Sequence, residues 1–555
     1  VPFSFHSIGV FPLPSSRRAF LEQAAAMGLL YQARQAFPQS MQGMHMPADG
    51  KRVSKATPAV ATSGQSAPML HTLQLAPFVD ALPLPQVVRP VKRNGRNQMT
   101  VTMREIHTRV HRDVPPTRMW SYGPDALAPL IEARAHQPLE ITWVNNLPAK
   151  HFMPIDYSLH GSGHNVPDVR TVAHLHGARV QTKYDGYPED WFRVGEKRTC
   201  IYPLNQDAAT LWFHDHAMGL NRLNTYAGLV GMLLLRDDTE DALHLPGGKY
   251  EVPLILYDRD FTEDGQLFYD TSGDEKSPWI PEFSADGLLV NGKIKPYFEV
   301  EPRLYRFRVL NTANSRFYIL SLSGDHAFHQ IGSDQGLLAA PVEMKRLILG
   351  CAERADILID FAPMAGQTIR MRTGGIEMME FRVGKQATST GNNAVPHTLR
   401  TIHRTPESEA VQTRTIKLHE IDDELKRPMS MLINRKHWHE PTTEFPKLNT
   451  TEIWEFVNLT EDTHPMHLHM VRFQVLDRRV IDQMEYLRNN NRRYIADVAA
   501  PDPGEMGWKD VVLCPPSTVT RIIVKFEGYP GKYLYHCHIL EHEANDMMRP
   551  FEVVA

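Results

Sequence analysis

The chain is short of cysteine, of long apolar runs and of charge of one sign, and each shortage removes a class of protein. Its four cysteines, Cys200, Cys351, Cys514 and Cys537, are too few for a disulfide framework in 555 residues. If one of them serves a metal, an odd number remains, and those three read as small buried thiols. The best apolar run, around 228–235, falls well short of the 18 or more residues of a membrane span and reads instead as a buried strand. With 60 Lys and Arg against 64 Asp and Glu, a net charge of −4 gives no global attraction to nucleic acid. Helical periodicity is scarce as well. The segments LEITWVNNL, GLVGMLLL, RFRVLN, DILIDF, TEIWEFVNL and TRIIVKF are rich in β-branched and aromatic residues and end at Gly, Pro, Asn or Asp, the pattern of Greek-key β-sandwiches.

Histidine is what the chain has in pattern. Five His-x-His pairs occur: His174/His176, His214/His216, His437/His439, His467/His469 and His536/His538. For 27 histidines in 555 residues, chance yields on the order of one. In a strand the two members of a pair share a face, about 6.6 Å apart, while the residue between them faces the other way. Cys537, between His536 and His538, is therefore wired to two imidazoles. One cysteine with two histidines and a weak thioether is the ligand set of a blue, electron-transfer copper; zinc sites collect several cysteines, or three His or carboxylate ligands around an open position. The pair His437/His439 has no other motif near it and reads as a surface or packing pair.

In order and spacing, HLHG, FHDHA, HPMHLH and YHCHILEHE…MM resemble the four copper-binding motifs of the multicopper oxidases. DVPPTRMWSYG, DGYPEDWF, YAGLVG, LVNGK, PRLYRFRVLN, QIGSDQGLL, TTEIWEF, GWKD and HILEHE…DMMRPF resemble the spore-coat laccase and bilirubin oxidase branch, over about residues 85–555. The resemblance implies an all-β chain of three cupredoxin-like Greek-key β-sandwich domains holding four copper ions. Cys537, His464, His542 and axial Met547 would hold the type 1 copper, His174 and His467 the type 2 copper, and His176, His214, His216, His469, His536 and His538 the type 3 pair. Met547 is preferred to Met548 because the axial position lies ten residues after the cysteine. Asp185 and Glu543 are implied as acids of the oxygen-reducing site, with a cap or a surface ion pair as the plainer reading of each.

The expected organisation is an export signal and flexible tail (1–50), a first cupredoxin domain with copper motifs 1 and 2 (51–240), a second without ligands (241–385), a linker (386–412) and a third with the type 1 site and motifs 3 and 4 (413–555). The trinuclear cluster then has to lie between the first and third domains. Ser16-Arg17-Arg18-Ala19-Phe20-Leu21, followed by the small apolar stretch 24–30, resembles a twin-arginine signal, which implies the export machinery as partner and a periplasmic or extracellular protein, with the spore coat a further location by resemblance. Met41, Met44, His45 and Met46 offer soft ligands for copper(I), with a polar linker as the plainer reading.

The implied activity is that of a laccase or bilirubin oxidase: single electrons taken from phenols, aromatic amines or bilirubin-type substrates, with dioxygen reduced to water by four electrons. His542 would present its imidazole edge to these small aromatic donors. A metallo-oxidase acting on copper(I) is the alternative, although no methionine-rich insertion lies between Leu459 and Glu541. An electron carrier or copper-storage protein would need only the cysteine centre and leaves eight histidines unexplained.

Overall fold

The computed structural model describes residues 68–125, 127–388, 394–422 and 428–555. The arginine pair and the methionine-rich segment of the N-terminus lie outside the described residues. All six segments expected to be strands are strands: Leu139–Asn146, Val230–Arg236, Leu304–Asn311, Arg354–Asp360, Thr451–Asn458 and Thr518–Lys525. In Leu139–Asn146 buried and half-exposed residues alternate, as expected of a sheet with one wet face. Val230–Arg236, by contrast, is buried at every position but its last, because both of its faces are covered.

The strands assemble into three sandwiches. The first pairs a five-stranded sheet, ordered Val87–Val88, Leu130–Arg134, Val230–Arg236, Ala209–Asp215 and Ala173–His176, with a second sheet built on Lys197–Tyr202, Leu139–Asn146 and Arg96–Thr108. Parallel neighbours, such as Leu130–Arg134 beside Val230–Arg236, alternate with antiparallel ones, so the chain crosses between sheets as a Greek key requires. Trp143, Ile141, Leu175 and Phe213 fill the space between these sheets. The middle sandwich, from strand Glu251–Phe261 to strand Ile376–Val383, encloses Phe307, Ile357, Met379 and Phe381. The third runs from Ala410–Asp422 to Met548–Val553 around Trp454, Phe456, Ile522 and Phe551.

A further apolar cluster ties the three together, with Trp212 and Val230 from the first, Ile255, Tyr257 and Ala352 from the second and Val511 from the third. None of the described helices is long and apolar enough to cross a membrane. The described helices are short, and two of them flank the histidines: Asn221–Ala227, and Leu540–Ala544, which are packed on each other.

Candidate metal centre

Strand register gathers the histidines. Ala173–His176 and Ala209–Asp215 run antiparallel with His174 opposite His214 and Trp212 opposite His176. In the third sandwich His464–Leu468 runs antiparallel to Gly531–Cys537, with His467 opposite His536 and Met466 opposite Cys537. The two strand pairs face each other across the interface of the first and third sandwiches. His174 and His469 stack with ring centroids 4.1 Å apart, His176 and His467 at 3.8 Å, and His216 lies 5.1 Å from His536. Eight imidazoles, four from each sandwich, form one buried cluster. Three triads within it, His174/His467/His469, His174/His176/His214 and His216/His469/His536, each bring one nitrogen per ring within 4.8 Å of the others.

A second cluster lies on the other face of the cysteine strand. His464 Nδ1 is 3.5 Å and His542 Nδ1 3.7 Å from Cys537 Sγ, and the two nitrogens are 3.2 Å apart. Met547 donates its N–H to His542 O and accepts Cys537 N–H at its own carbonyl, both at 3.0 Å, and it packs in the same core as Cys537. Met548 faces away, among Met218, Trp438 and Leu534.

Several second ring nitrogens are held by acceptors outside the clusters, and these acceptors assign the tautomers of their rings. Asp510 serves two rings: its carboxylate takes His176 Nε2–H at 3.2 Å and its carbonyl takes His467 Nδ1–H at 2.8 Å. Asp185 serves two more, its carboxylate accepting His469 Nδ1–H at 2.8 Å and its carbonyl accepting from His174 Nδ1. His214 Nδ1 is paired with Asp215 O, and His464 Nε2 with Thr460 Oγ1 at 2.6 Å. What remains is a set of buried, lone-pair nitrogens without partners: His174 Nε2, His176 Nδ1, His214 Nε2 and His467 Nε2. Such orphaned acceptors are costly unless something electrophilic meets them.

Residues 162–240 and 405–555 match family profiles described as multicopper oxidase. A laccase of Bacillus subtilis is 43% identical over 509 residues, 87% of this chain and 99% of the relative. A laccase of Haloferax volcanii is 33% identical across 97% of this chain and 91% of its own length. This chain belongs to the multicopper oxidases. Among solved structures, a laccase from Pediococcus acidilactici superposes with a TM-score of 0.72 at 28% identity, covering 89% of this chain and 96% of that one.

Copper is what the family implies, and the donors fit it. A thiolate with two imidazoles suits a soft, redox-active ion, and an all-imidazole cluster suits copper in either oxidation state. Burial, together with repulsion from neighbouring rings, pushes the imidazoles of His176, His214, His216, His467, His469 and His538 well below their ordinary range, and burial holds His464 at about 3. They are neutral at physiological pH, the form that binds metal. Burial pushes the Cys537 thiol well up, so the thiolate forms only when a cation replaces its proton.

Both acids expected from the sequence lie against the eight-histidine cluster of this multicopper oxidase. Glu543 Oε1 is 3.4 Å from His216 Nε2 and its Oε2 is 3.3 Å from His536 Nδ1. Asp185 is buried beside His469 and His174, and burial raises its carboxyl well above the usual range, so it holds a proton readily. One expectation changes. His542 is 0% exposed and its Nε2 is buried, so it presents no edge at the surface; the strand Pro428–Ile433 packs beside its helix, with Asn545 bonded to Met429 O and Met431 N. His437 and His439 are exposed and outside both clusters, His437 pairing with Asp546 at 2.6 Å.

Sequence reasoning passed over Asp510 although GWKD contains it, because its role depends on a partner far away in the chain. Arg354, at 0% exposure, donates to both Asp510 oxygens and to the carbonyls of Thr210, Ala352 and Asp334, and Gln335 adds a bond of 2.6 Å. Gly177 of HLHG lies under this pair. Its φ is +85°, and a Cβ there would come 2.8 Å from Asp510 Oδ2 and 2.9 Å from the Arg354 guanidinium, so glycine is required.

Proposed function

We propose that this multicopper oxidase is a laccase-type enzyme that takes single electrons from phenols, aromatic amines or bilirubin-type donors and delivers four of them to dioxygen, giving two waters. The observation that carries the reading is the backbone of His536-Cys537-His538, which joins a Cys/His/His cluster directly to an eight-histidine cluster. Cys537, His464, His542 and Met547 are assigned to one type 1 copper, His174 and His467 to the type 2 copper, and His176, His214, His216, His469, His536 and His538 to the type 3 pair. Bound copper would supply one-electron transfer at the first cluster and the storage of several electrons at the second.

The chain's own groups do the rest. Cys537 and its two neighbours offer a covalent electron path between the clusters. Because His542 is covered, substrate is an outer-sphere donor that needs no ligand bond, which suits phenols and amines whose radicals depart after losing one electron. Four protons must reach oxygen, and Glu543 Oε1 and Oε2, unpartnered apart from the His216 and His536 rings, are placed to hand them on; Asp185 is the second acid. The twin-arginine-like segment supports export to the periplasm or beyond. Oxygen uptake with a phenol tests the reading: uptake supports it, and uptake with cuprous ion alone would make the protein a metallo-oxidase instead.

A further inference from the structure

The helix Leu540–Ala544 carries both His542 and Glu543, and all five of its residues are buried. A helix of little more than one turn has almost no stability of its own, so the orientation of what it carries is set by its attachments. Glu541 is the most heavily attached of the five. Its side chain is 0% exposed and meets three donors: Tyr269 Oη at 2.6 Å and Asn314 Nδ2 at 2.7 Å on Oε1, and Ser315 Oγ at 2.7 Å on Oε2. Its carbonyl accepts Trp279 Nε1–H at 3.0 Å, and the preceding Leu540 donates its N–H to Asn314 O, also at 3.0 Å.

Every one of these partners belongs to the middle sandwich, which contributes no residue to either metal cluster. The first sandwich closes the arrangement from behind, with the Arg222 guanidinium 5.2 Å over the Tyr269 ring and Arg222 O accepting Asn314 Nδ2–H at 3.2 Å. All three sandwiches therefore meet at the residue that precedes His542. A buried carboxylate adds little net stability over an apolar side chain of the same volume. What three fixed donors add is direction.

We propose that Glu541 is a positioning residue for His542, through which the ligand-free middle sandwich sets the geometry of the cysteine centre. The proposal rests on His542 being a ligand of the type 1 copper, as read above. The test compares copper-loaded wild type with Glu541→Leu, Glu541→Gln, Tyr269→Phe and, as control, Cys537→Ser. In Glu541→Leu the visible band and the electron paramagnetic resonance of the blue centre shift, and anaerobic reduction by a phenol slows about tenfold, because the His542 ring loses its fixed direction. Copper bound at the histidine cluster stays at the wild-type level. Glu541→Gln keeps a carbonyl acceptor and recovers most of the rate. Tyr269→Phe, which removes a single hydroxyl and decides the matter if the leucine variant does not fold, shifts the same signals less. Wild-type spectra and reduction rates in the folded Glu541 and Tyr269 variants, with only a lower melting temperature, overturn the proposal and leave Glu541 a structural staple. A Cys537→Ser protein that stays blue is a different result, one that removes the type 1 reading itself.

Discussion

Replacing Arg354 by Met is the most severe single test of how this protein is assembled. The guanidinium is fully buried and bonded to both Asp510 oxygens and three carbonyls, while Asp334 and Lys509 form a neighbouring pair at 2.9 Å. Methionine fills similar space but leaves Asp510 with Gln335 and the His176 ring as its remaining side-chain partners. Removing one member of a buried ion pair costs about 3–5 kcal/mol, because the charge left behind is uncompensated. At about 2–4 °C per kcal/mol for a unit of some 150–250 residues, melting should fall by roughly 6–20 °C.

The loss should also reach the metal. With Asp510 free to move, His176 Nε2 and His467 Nδ1 lose their fixed acceptors, so copper at the histidine cluster should fall while the blue absorption of the cysteine centre persists. Calorimetry and copper analysis measure the two effects together. Adding Asp510→Asn to Arg354→Met should recover part of the stability, since the pair is then removed as a unit. A single variant that melts within a degree or two of wild type with full copper would refute the reasoning.

Three further outcomes follow from named contacts. Met547→Leu should raise the reduction potential of the blue centre, because a weak donor is lost, whereas Met548→Leu, whose side chain packs with Trp438, should change it little; redox titration of both decides, and the reverse order moves the axial role to Met548. Glu543→Gln should leave anaerobic reduction by substrate fast and slow oxygen turnover about a hundredfold, with optimum activity at lower pH where solvent supplies the missing proton; slow anaerobic reduction would put Glu543 on the substrate side instead. Burial alone would raise Glu240, yet Arg308, Arg306 and Arg236 outweigh it and hold the carboxyl at about 2 against an ordinary 4.5. A lowered carboxyl stabilises above its unfolded value and loses that contribution as pH falls toward its folded one, so roughly 3 kcal/mol should disappear between about pH 4.5 and pH 2. Denaturant unfolding of wild type and Glu240→Gln should therefore converge across that window, and a constant gap would count against the ion network.

What the sequence made legible was local. A period of two in hydrophobicity marks strands such as Leu139–Asn146, and the same period in histidine puts His174 with His176 and His536 with His538 on shared faces, so strands and clusters could both be read from short windows. The long-range consequence, that first and third sandwiches meet at the histidines, follows from there being one cluster and two sources of ligands. Nothing local marks Asp510, because its partner Arg354 is 156 residues away and its effect is to orient rings that belong to two sandwiches. The burial of His542 escaped for the same reason, since the Pro428–Ile433 strand that packs beside its helix comes from more than a hundred positions earlier.

The omission of Asp510 has a physical source. Metal ligands are chosen by chemistry that a short motif can carry, whereas the groups that aim them must reach across an interface, and in this protein they reach from the middle sandwich. Arg354 fixes Asp510, which assigns the tautomers of His176 and His467; Tyr269, Asn314 and Ser315 fix Glu541, beside His542. A domain with no residue in either cluster thus bonds one buried carboxylate beside each. Deleting or swapping it would leave every motif intact in sequence and still disturb both centres, which is why a count of copper motifs alone underestimates how much of this chain the chemistry requires.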